Sequence, residues 1–288
     1  MKKQQFNSKH KAIKMPEGAA GEYAKYSCNF YKGCSNKCTY CFNNRWKWGD
    51  VPTLKKCFKN GQHALEIFKT ELLANLPELQ KHGLFFSFTT DPFLPETINL
   101  TGSAHRICAN NNIPIKFLTK KVSEWVDNII ENVKCIESGV YEDNGLKWEV
   151  SDKPDLKKYS AFGFTLTGHD ELEPNTSTNA ERIEAMRKLH EAGFKTWASI
   201  EPVIDFSTSY EIMLDCQDYC DLFKVGLMSN YKPKTAVEKE HLNIFMDKCY
   251  YCIKKPIYFK DSLLQQAGIN REDLSDNCVT RDYNMFNN

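Results

Sequence analysis

No stretch of the 288 residues approaches the roughly 18 consecutive apolar residues of a membrane-spanning helix. Nor is one sign of charge in excess. Lys and Arg number 38 against 37 Asp and Glu, so no global field draws the chain to nucleic acid or to an anionic surface. The start, MKKQQFNSKHKAIK, is basic but lacks the apolar run of a secretory signal, and a cytoplasmic location is expected. Internal repeats are missing, which excludes solenoids and propellers. Low-complexity sequence is confined to a polar tail from Asn270 to Asn288, expected either to wrap the body of the protein or to stay disordered. What the chain does have is cysteine, twelve in all. Without an export signal, that number favours reduced thiols and metal chemistry over a disulfide framework.

Three of the twelve crowd one short segment, Tyr31–Phe42, which reads YKGCSNKCTYCF. Cys34, Cys38 and Cys41 are spaced C-x3-C-x2-C. Three thiolates on one loop can hold three corners of a cubane iron–sulfur cluster and leave the fourth iron open for chemistry. A closed zinc site is the rival reading, in which the protein is an interaction module. It needs a fourth ligand and commonly arrives as two C-x-x-C pairs, yet the nearest downstream thiol, Cys57, has no such partner. A third reading is a redox-sensing iron–sulfur protein. Gly33, Ser35, Asn36 and Lys37 make this a polar loop rather than a core segment.

Apolar, strand-prone runs alternate with helical patterns along the rest of the chain, the mark of repeated β–α units and a parallel sheet. Strands are predicted at Ala24–Phe30, Leu84–Thr90, Ile115–Thr119, Ala161–Thr167, Lys195–Ile200 and Leu222–Met228, with a last extended run at Ile257–Lys260. Helices are predicted around Leu65–Leu76, Ser103–Asn111, Trp125–Val133, Asn179–Glu191, Thr208–Cys216 and Ala236–Ile253. Gly139–Tyr159 breaks the rhythm, and its Asn144-Gly145 step predicts a turn between two short extended pieces. The alternation alone fits a barrel or an open doubly wound sheet.

In either fold the chemistry gathers at the carboxyl ends of the strands. Those ends carry Thr89, Thr90 and Asp91; Thr119, Lys120 and Lys121; Thr165, Thr167, His169 and Asp170; Ser199 and Glu201; Met228, Ser229 and Asn230; and Lys260 and Asp261. Such a rim suits a zwitterionic, ribose-bearing ligand, which needs an acid or carbonyl for an ammonium, a lysine for a carboxylate and hydroxyls for a ribose.

The cysteine loop resembles that of the radical S-adenosylmethionine (radical SAM) superfamily. The strings SFTTDP, FLTK and IEPVI at successive strand ends resemble its spore photoproduct lyase branch, from roughly Tyr26 to Leu264. The resemblance implies a partial (β/α)6 TIM-like barrel over residues 21–262, with the cluster loop after the first strand. Around it stand a basic arm at 1–20, a small insertion near 139–159 and an extension at 263–288. It implies a [4Fe-4S] cluster on Cys34, Cys38 and Cys41, with S-adenosylmethionine chelating the fourth iron and cleaved reductively to a 5′-deoxyadenosyl radical that abstracts hydrogen. Tyr40 and Phe42 are then expected beside the cofactor, Thr89, Thr90 and Asp91 at the methionine ammonium, Lys120 at its carboxylate, Thr165 and Thr167 at methionine or ribose, and Glu201 at ligand or substrate. A reducing partner such as flavodoxin or ferredoxin is implied, and a nucleic-acid base or lesion as substrate, with a peptide or protein as the alternative.

Two positions depart from the DNA-repair members. Phe88 stands where they carry a hydrogen-donating cysteine, and Phe42 where they carry a relay tyrosine. Neither can donate from S–H or O–H, so the photoproduct reaction itself is not expected. Cys28 on the first strand is an alternative donor, with core packing as its ordinary reading. Cys216, Cys220, Cys249 and Cys252 could form a second metal site, but Leu242, Phe245, Met246 and Cys249 trace one apolar helix face, which favours packing. His169 with Asp170 and Glu171 could serve acid–base work or merely form a polar loop.

Overall fold

Strand order separates the two architectures that alternation leaves open. The computed structural model describes residues 11–45, 49–143, 146–149, 154–229 and 231–287. The predicted turn at Asn144-Gly145, the rim residue Asn230 and the first ten residues of the basic arm lie outside that set. The strands are β1 (Ile13–Lys14), β2 (Ser27–Cys28), β3 (Tyr31–Lys32), β4 (Thr53–Leu54), β5 (Leu84–Phe86), β6 (Ile115–Thr119), β7 (Val140–Asp143), β8 (Leu146–Glu149), β9 (Ser160–Thr165), β10 (Lys195–Val203), β11 (Phe223–Leu227) and β12 (Ile257–Phe259). The main sheet runs β1-β2-β5-β6-β9-β10-β11-β12. From β2 to β12 every pairing is parallel and the order never reverses. A doubly wound sheet must double back at a switch point. This sheet winds one way, so it is a partial barrel of six β–α units with β12 as the closing strand.

Helices α1 (Gly61–Ala74), α2 (Leu76–His82), α3 (Ile98–Asn110), α4 (Trp125–Ser138), α5 (Leu156–Tyr159), α6 (Asn179–Glu191), α7 (Phe206–Cys216), α8 (Ala236–Cys252) and α9 (Asp261–Ala267) carry the crossovers and the start of the tail. α6 opens with a full capping box, Thr178 with Glu181, which accounts for how sharply its start was legible. The insertion forms the expected hairpin, β7 with β8 in antiparallel register.

Alternation along the strands sorts side chains between two cores. Leu84 and Phe86, Phe162 and Phe164, and Ile257 and Phe259 point outward into the main hydrophobic core. Phe85, Ala161, Trp197 and Tyr258 point into the lumen, where Met285 from the tail joins them. Gly163 makes room for the indole, since a Cβ there would stand 2.1 Å from Trp197. The tail does wrap the barrel: Val279 N–H donates to Ile257 O at 2.8 Å. The boundary drawn before residue 263 cuts through α9, whose Leu263 and Leu264 are buried.

Two of the strand predictions overran for one physical reason. Side chains capture the backbone just past each end. Asn29 Oδ1 accepts from Phe88 N and Thr89 N, so β5 stops at Phe86 and not Thr90. Asn179 Oδ1 accepts from Thr167 N and Gly168 N, so β9 stops at Thr165. β2 is shortened to Ser27–Cys28. The basic arm is packed from residue 11 onward. Ala12 N and Ile13 N donate to Glu71 Oε2 at 2.9 and 2.8 Å, and β1 pairs with β2 at the sheet edge. Glu22 then reaches the opposite edge, where its Oε1 accepts from Tyr258 OH at 3.0 Å and Asp261 N at 2.7 Å. Lys224 Nζ and Lys116 Nζ donate to the backbone carbonyls of Glu22 and Tyr23 from inside the lumen, at 2.6 and 3.0 Å. This strap spans the opening of the partial barrel.

Behind the sheet, His105 is buried against Phe117 and within 2.6 Å of Ser160 Oγ. Burial pushes its imidazole from 6.5 down to about 4. A lowered histidine favours the neutral folded form, so its contribution is complete above pH 6.5 and lost as pH falls toward 4. Urea midpoints across that window should register a loss of about 3 kcal/mol from this group. His105→Gln should flatten that part of the profile, and an unchanged slope would refute the assignment.

Candidate active site

Every parallel strand delivers residues to one cavity of about 1190 Å³ at the carboxyl end of the barrel. Asn29 follows β2, Ser87–Asp91 follow β5, and Leu118, Thr119 and Lys120 end β6. Thr165, Ser199 with Glu201, Leu227 with Met228, and Lys260 come from β9 to β12. The cysteine loop covers the cavity with Cys34, Cys38 and Cys41, and the strap contributes Met15–Glu17, Ala19, Ala20 and Tyr23. Most residues singled out in the sequence therefore meet here: Tyr40, Phe42, Thr89, Thr90, Asp91, Lys120, Thr165 and Glu201 all line the wall. Thr167 does not. It is wholly buried one step below the rim, where its Oγ1 accepts from His169 N.

Several of these side chains are engaged inside the protein. Asp91 Oδ2 accepts from Asn36 Nδ2 at 2.9 Å and Lys120 N at 2.8 Å, while Oδ1 accepts from Thr119 Oγ1 at 2.6 Å and Phe93 N at 3.0 Å. Asp91 thus ties the cysteine loop to the ends of β5 and β6. Thr89 Oγ1 is held by Asn29 and Tyr31 O. Glu201 accepts from Tyr23 OH on one oxygen and from Lys260 Nζ at 2.8 Å on the other. A Cβ on Gly226 would stand 2.8 Å from Lys260 and 2.9 Å from Glu201, so glycine leaves the space this pair fills. Lys120 Nζ lies 5.5 Å from the Tyr40 ring centroid, within reach of the carboxylate of a ligand lying on that ring.

The sequence reading missed the anchor beneath Tyr40. Its hydroxyl donates to Glu173, which pairs with Arg182, and both charged side chains have no exposure. Arg182 also donates to Ser177 O, Thr165 O and Thr176 Oγ1. A signal was present: Arg182 lies four and seven residues before Met186 and Leu189, so it places a charge on the apolar face of α6. Burial and the Glu173 charge push the Tyr40 phenol far above its usual range.

Burial likewise raises Cys34 to about 12, with Asp91 adding to the effect, and Cys38 to about 11 against the pull of Lys120. These thiols hold their protons at neutral pH, and a metal must displace them.

The residues present fit an iron–sulfur cluster with a polar ligand beside it. Three soft sulfurs line the cavity, and among the described residues no fourth thiol does. Three buried polar atoms on the wall, Asn36 Oδ1, Asn43 Oδ1 and Thr90 Oγ1, have no partner in the protein. Buried groups of that kind are normally paired, and all three belong to residues of the cavity wall. Among the described residues no three His, Cys, Asp or Glu converge on a single-ion site. A zinc ion holds its sulfurs at about 2.3 Å, whereas a cubane gives each cysteine its own iron. Cys216, Cys220 and Cys249 are buried in the main core, and Cys249 Sγ lies 3.8 Å from Met213 Sδ, while Cys252 is exposed. His169 lies outside the cavity wall and bonds to Glu171 at 2.8 Å.

No family model matches the chain. The uncharacterized protein MJ0683 of Methanocaldococcus jannaschii is 25% identical over an alignment covering 63% of this chain and 61% of that protein, so the chain spans under two thirds of its relative's length. Among solved structures, a spore photoproduct lyase mutant with bound AdoMet and dinucleoside spore photoproduct superposes with a TM-score of 0.53 at 16% identity, covering 81% of this chain and 62% of the lyase. A second mutant of the lyase gives a TM-score of 0.58 at 13% identity, covering 85% of this chain and 78% of that one. At such identities the likeness is one of fold: this chain has the partial barrel of spore photoproduct lyase, the branch its motifs resemble.

Proposed function

We propose that the protein is a radical SAM enzyme that reductively cleaves S-adenosylmethionine at a [4Fe-4S] cluster held by Cys34, Cys38 and Cys41. The observation that carries this reading is the three-cysteine loop lying over one lumen to which every parallel strand end brings polar residues. When bound, the cluster and its ligand supply one-electron cleavage of a carbon–sulfur bond. The chain does the rest. Asp91 fixes the loop through Asn36, and the Glu173–Arg182 pair fixes Tyr40 as a ring for the adenine to lie against. Lys120, whose Nζ stands 5.5 Å from the Tyr40 ring centroid, is the partner we assign to the methionine carboxylate. Thr165, also on the wall, is assigned to the methionine or ribose. The strap spans the barrel opening on one side of the lumen, which limits solvent access to a reactive carbon centre.

The substrate we propose is a nucleic-acid base or lesion other than spore photoproduct, since Phe88 and Phe42 line the cavity where a thiol and a phenol would be needed. One observation favours a peptide instead. The wall carries Lys14, Lys37, Lys120 and Lys260 against Glu17, Asp50, Asp91 and Glu201, without the basic surplus that a phosphate backbone attracts. A low-potential donor of the flavodoxin or ferredoxin type would supply the electron.

The test is anaerobic reconstitution followed by S-adenosylmethionine and dithionite, with a Cys38→Ala protein as blank. Four irons per chain and 5′-deoxyadenosine from the wild type alone are expected. A brown, fully loaded protein that forms no nucleoside would favour a redox sensor, and a colourless protein that takes up zinc would end the proposal. Single-stranded oligonucleotides and peptide pools, added in turn, should separate the substrate classes by which one raises nucleoside output.

A further inference from the structure

The proposed function, on which this inference rests, puts a carbon-centred radical inside this cavity, and a hydrogen atom must come from somewhere to quench it. Among the described residues the thiols on the wall are the three that reading assigns to iron. Cys28 is wholly buried in the main core and is not on the wall. Two phenols remain, Tyr23 and Tyr40. Tyr40 gives its proton to Glu173, which with its partner Arg182 has no exposure and lies off the wall, whereas Glu201 and Lys260, the pair at Tyr23, both line it. Tyr23 is differently placed. Its ring meets Phe88 edge-on at 6.1 Å and Phe85 at 5.6 Å, on the aromatic floor of the lumen. Its hydroxyl lies 2.7 Å from Ser199 Oγ and bonds to Glu201, whose other oxygen is 2.8 Å from Lys260 Nζ. Lys260 is balanced in turn by Glu22 at 3.6 Å.

We infer that Tyr23 is the hydrogen-atom donor of this cavity, with Glu201 and Lys260 positioning its hydroxyl. The Tyr23 O–H bond breaks and a C–H bond forms at the radical carbon, proton and electron moving together. A phenolic O–H is weaker than an alkyl C–H, so the transfer runs downhill. The phenoxyl left behind is returned to phenol by one electron from the low-potential donor and one proton passed through Glu201. Burial and the charge of Glu201 raise the Tyr23 phenol well above its usual range, so it holds the hydrogen it must give.

The probe is S-adenosylmethionine alone, without substrate, given to the reconstituted wild type in deuterated water with dithionite. An exchangeable phenolic deuteron should appear at C5′ of the 5′-deoxyadenosine formed, and freeze-quench EPR should show a neutral tyrosyl signal. In Tyr23→Phe the deuterium per nucleoside should fall at least tenfold and the signal vanish, while Tyr251→Phe, 70% exposed on α8, retains both. Should Tyr23→Phe fail to fold, Glu201→Gln assigns the radical by shifting its g-values, because the hydrogen bond to the oxygen changes. Nucleoside without deuterium, or without a tyrosyl signal in the wild type, overturns the inference and leaves the proposed function standing. A loaded cluster that forms no nucleoside overturns both.

Discussion

Replacing Arg182 with methionine should destabilise the cofactor-free protein by about 3–5 kcal/mol, among the largest effects of any single substitution in this chain. Arg182 is fully buried and spends its donors on Glu173, Ser177 O, Thr165 O and Thr176 Oγ1. Methionine fills much of the same volume, so cavity formation is not the main cost. The cost is a Glu173 carboxylate left in the interior without its counter-charge, together with two backbone carbonyls that lose their donors. Urea denaturation measures it directly, and the melting temperature should drop by about 10 °C. The double variant Arg182→Met, Glu173→Leu removes both charges and should recover much of the loss. If the single and double variants are equally unstable, packing and not charge is responsible. The same substitution removes the partner that holds Glu173, the acceptor of the Tyr40 hydroxyl, so iron loading should fall with it.

That example marks where sequence reasoning reached and where it stopped. The barrel was legible because strands such as Ile115–Thr119 and helices such as Asn179–Glu191 carry their period and caps locally. The cysteine loop was legible because its ligands are adjacent in the chain. The Tyr40–Glu173–Arg182 chain was not, since it joins a loop to a turn 133 residues away. Glu22, 239 residues from Asp261, was equally hidden, and with it the strap that covers the barrel opening. The polar rim could be listed from the sequence, but the direction of each side chain could not. Thr167 sits only two positions after Thr165, yet the Asn179 side chain turns the backbone between them and takes Thr167 out of the cavity. Glu201 and Lys260 were each read as separate rim residues, and only the closing of the sheet brings their charges to 2.8 Å.

Asp91 shows most clearly how placement alters a role read from position. As a ligand for a methionine ammonium, its loss would weaken cofactor affinity and leave the empty protein intact. The geometry predicts the opposite order of effects. Its two oxygens accept from Asn36, Thr119, Phe93 and the Lys120 backbone, and Asp91 is 6% exposed. Asp91→Ala strands several buried donors at once, each costing about 1–3 kcal/mol when unpaired. The cofactor-free protein should therefore lose about 3–5 kcal/mol, less than the sum because the loop can relax toward water. Iron uptake should fall as well, because Asn36 is the tether between the cysteine loop and the barrel rim. Asp91→Asn offers a finer cut. One amide oxygen can still accept from Thr119 and Phe93, while the NH2 group now opposes the donors of Asn36 and Lys120. Stability should fall by less than in Asp91→Ala, and iron uptake should remain impaired because the loop is the side released. Equal melting of the wild-type and Asp91→Ala proteins without cofactor, with affinity for S-adenosylmethionine alone reduced, would return Asp91 to the ligand and remove it from the scaffold.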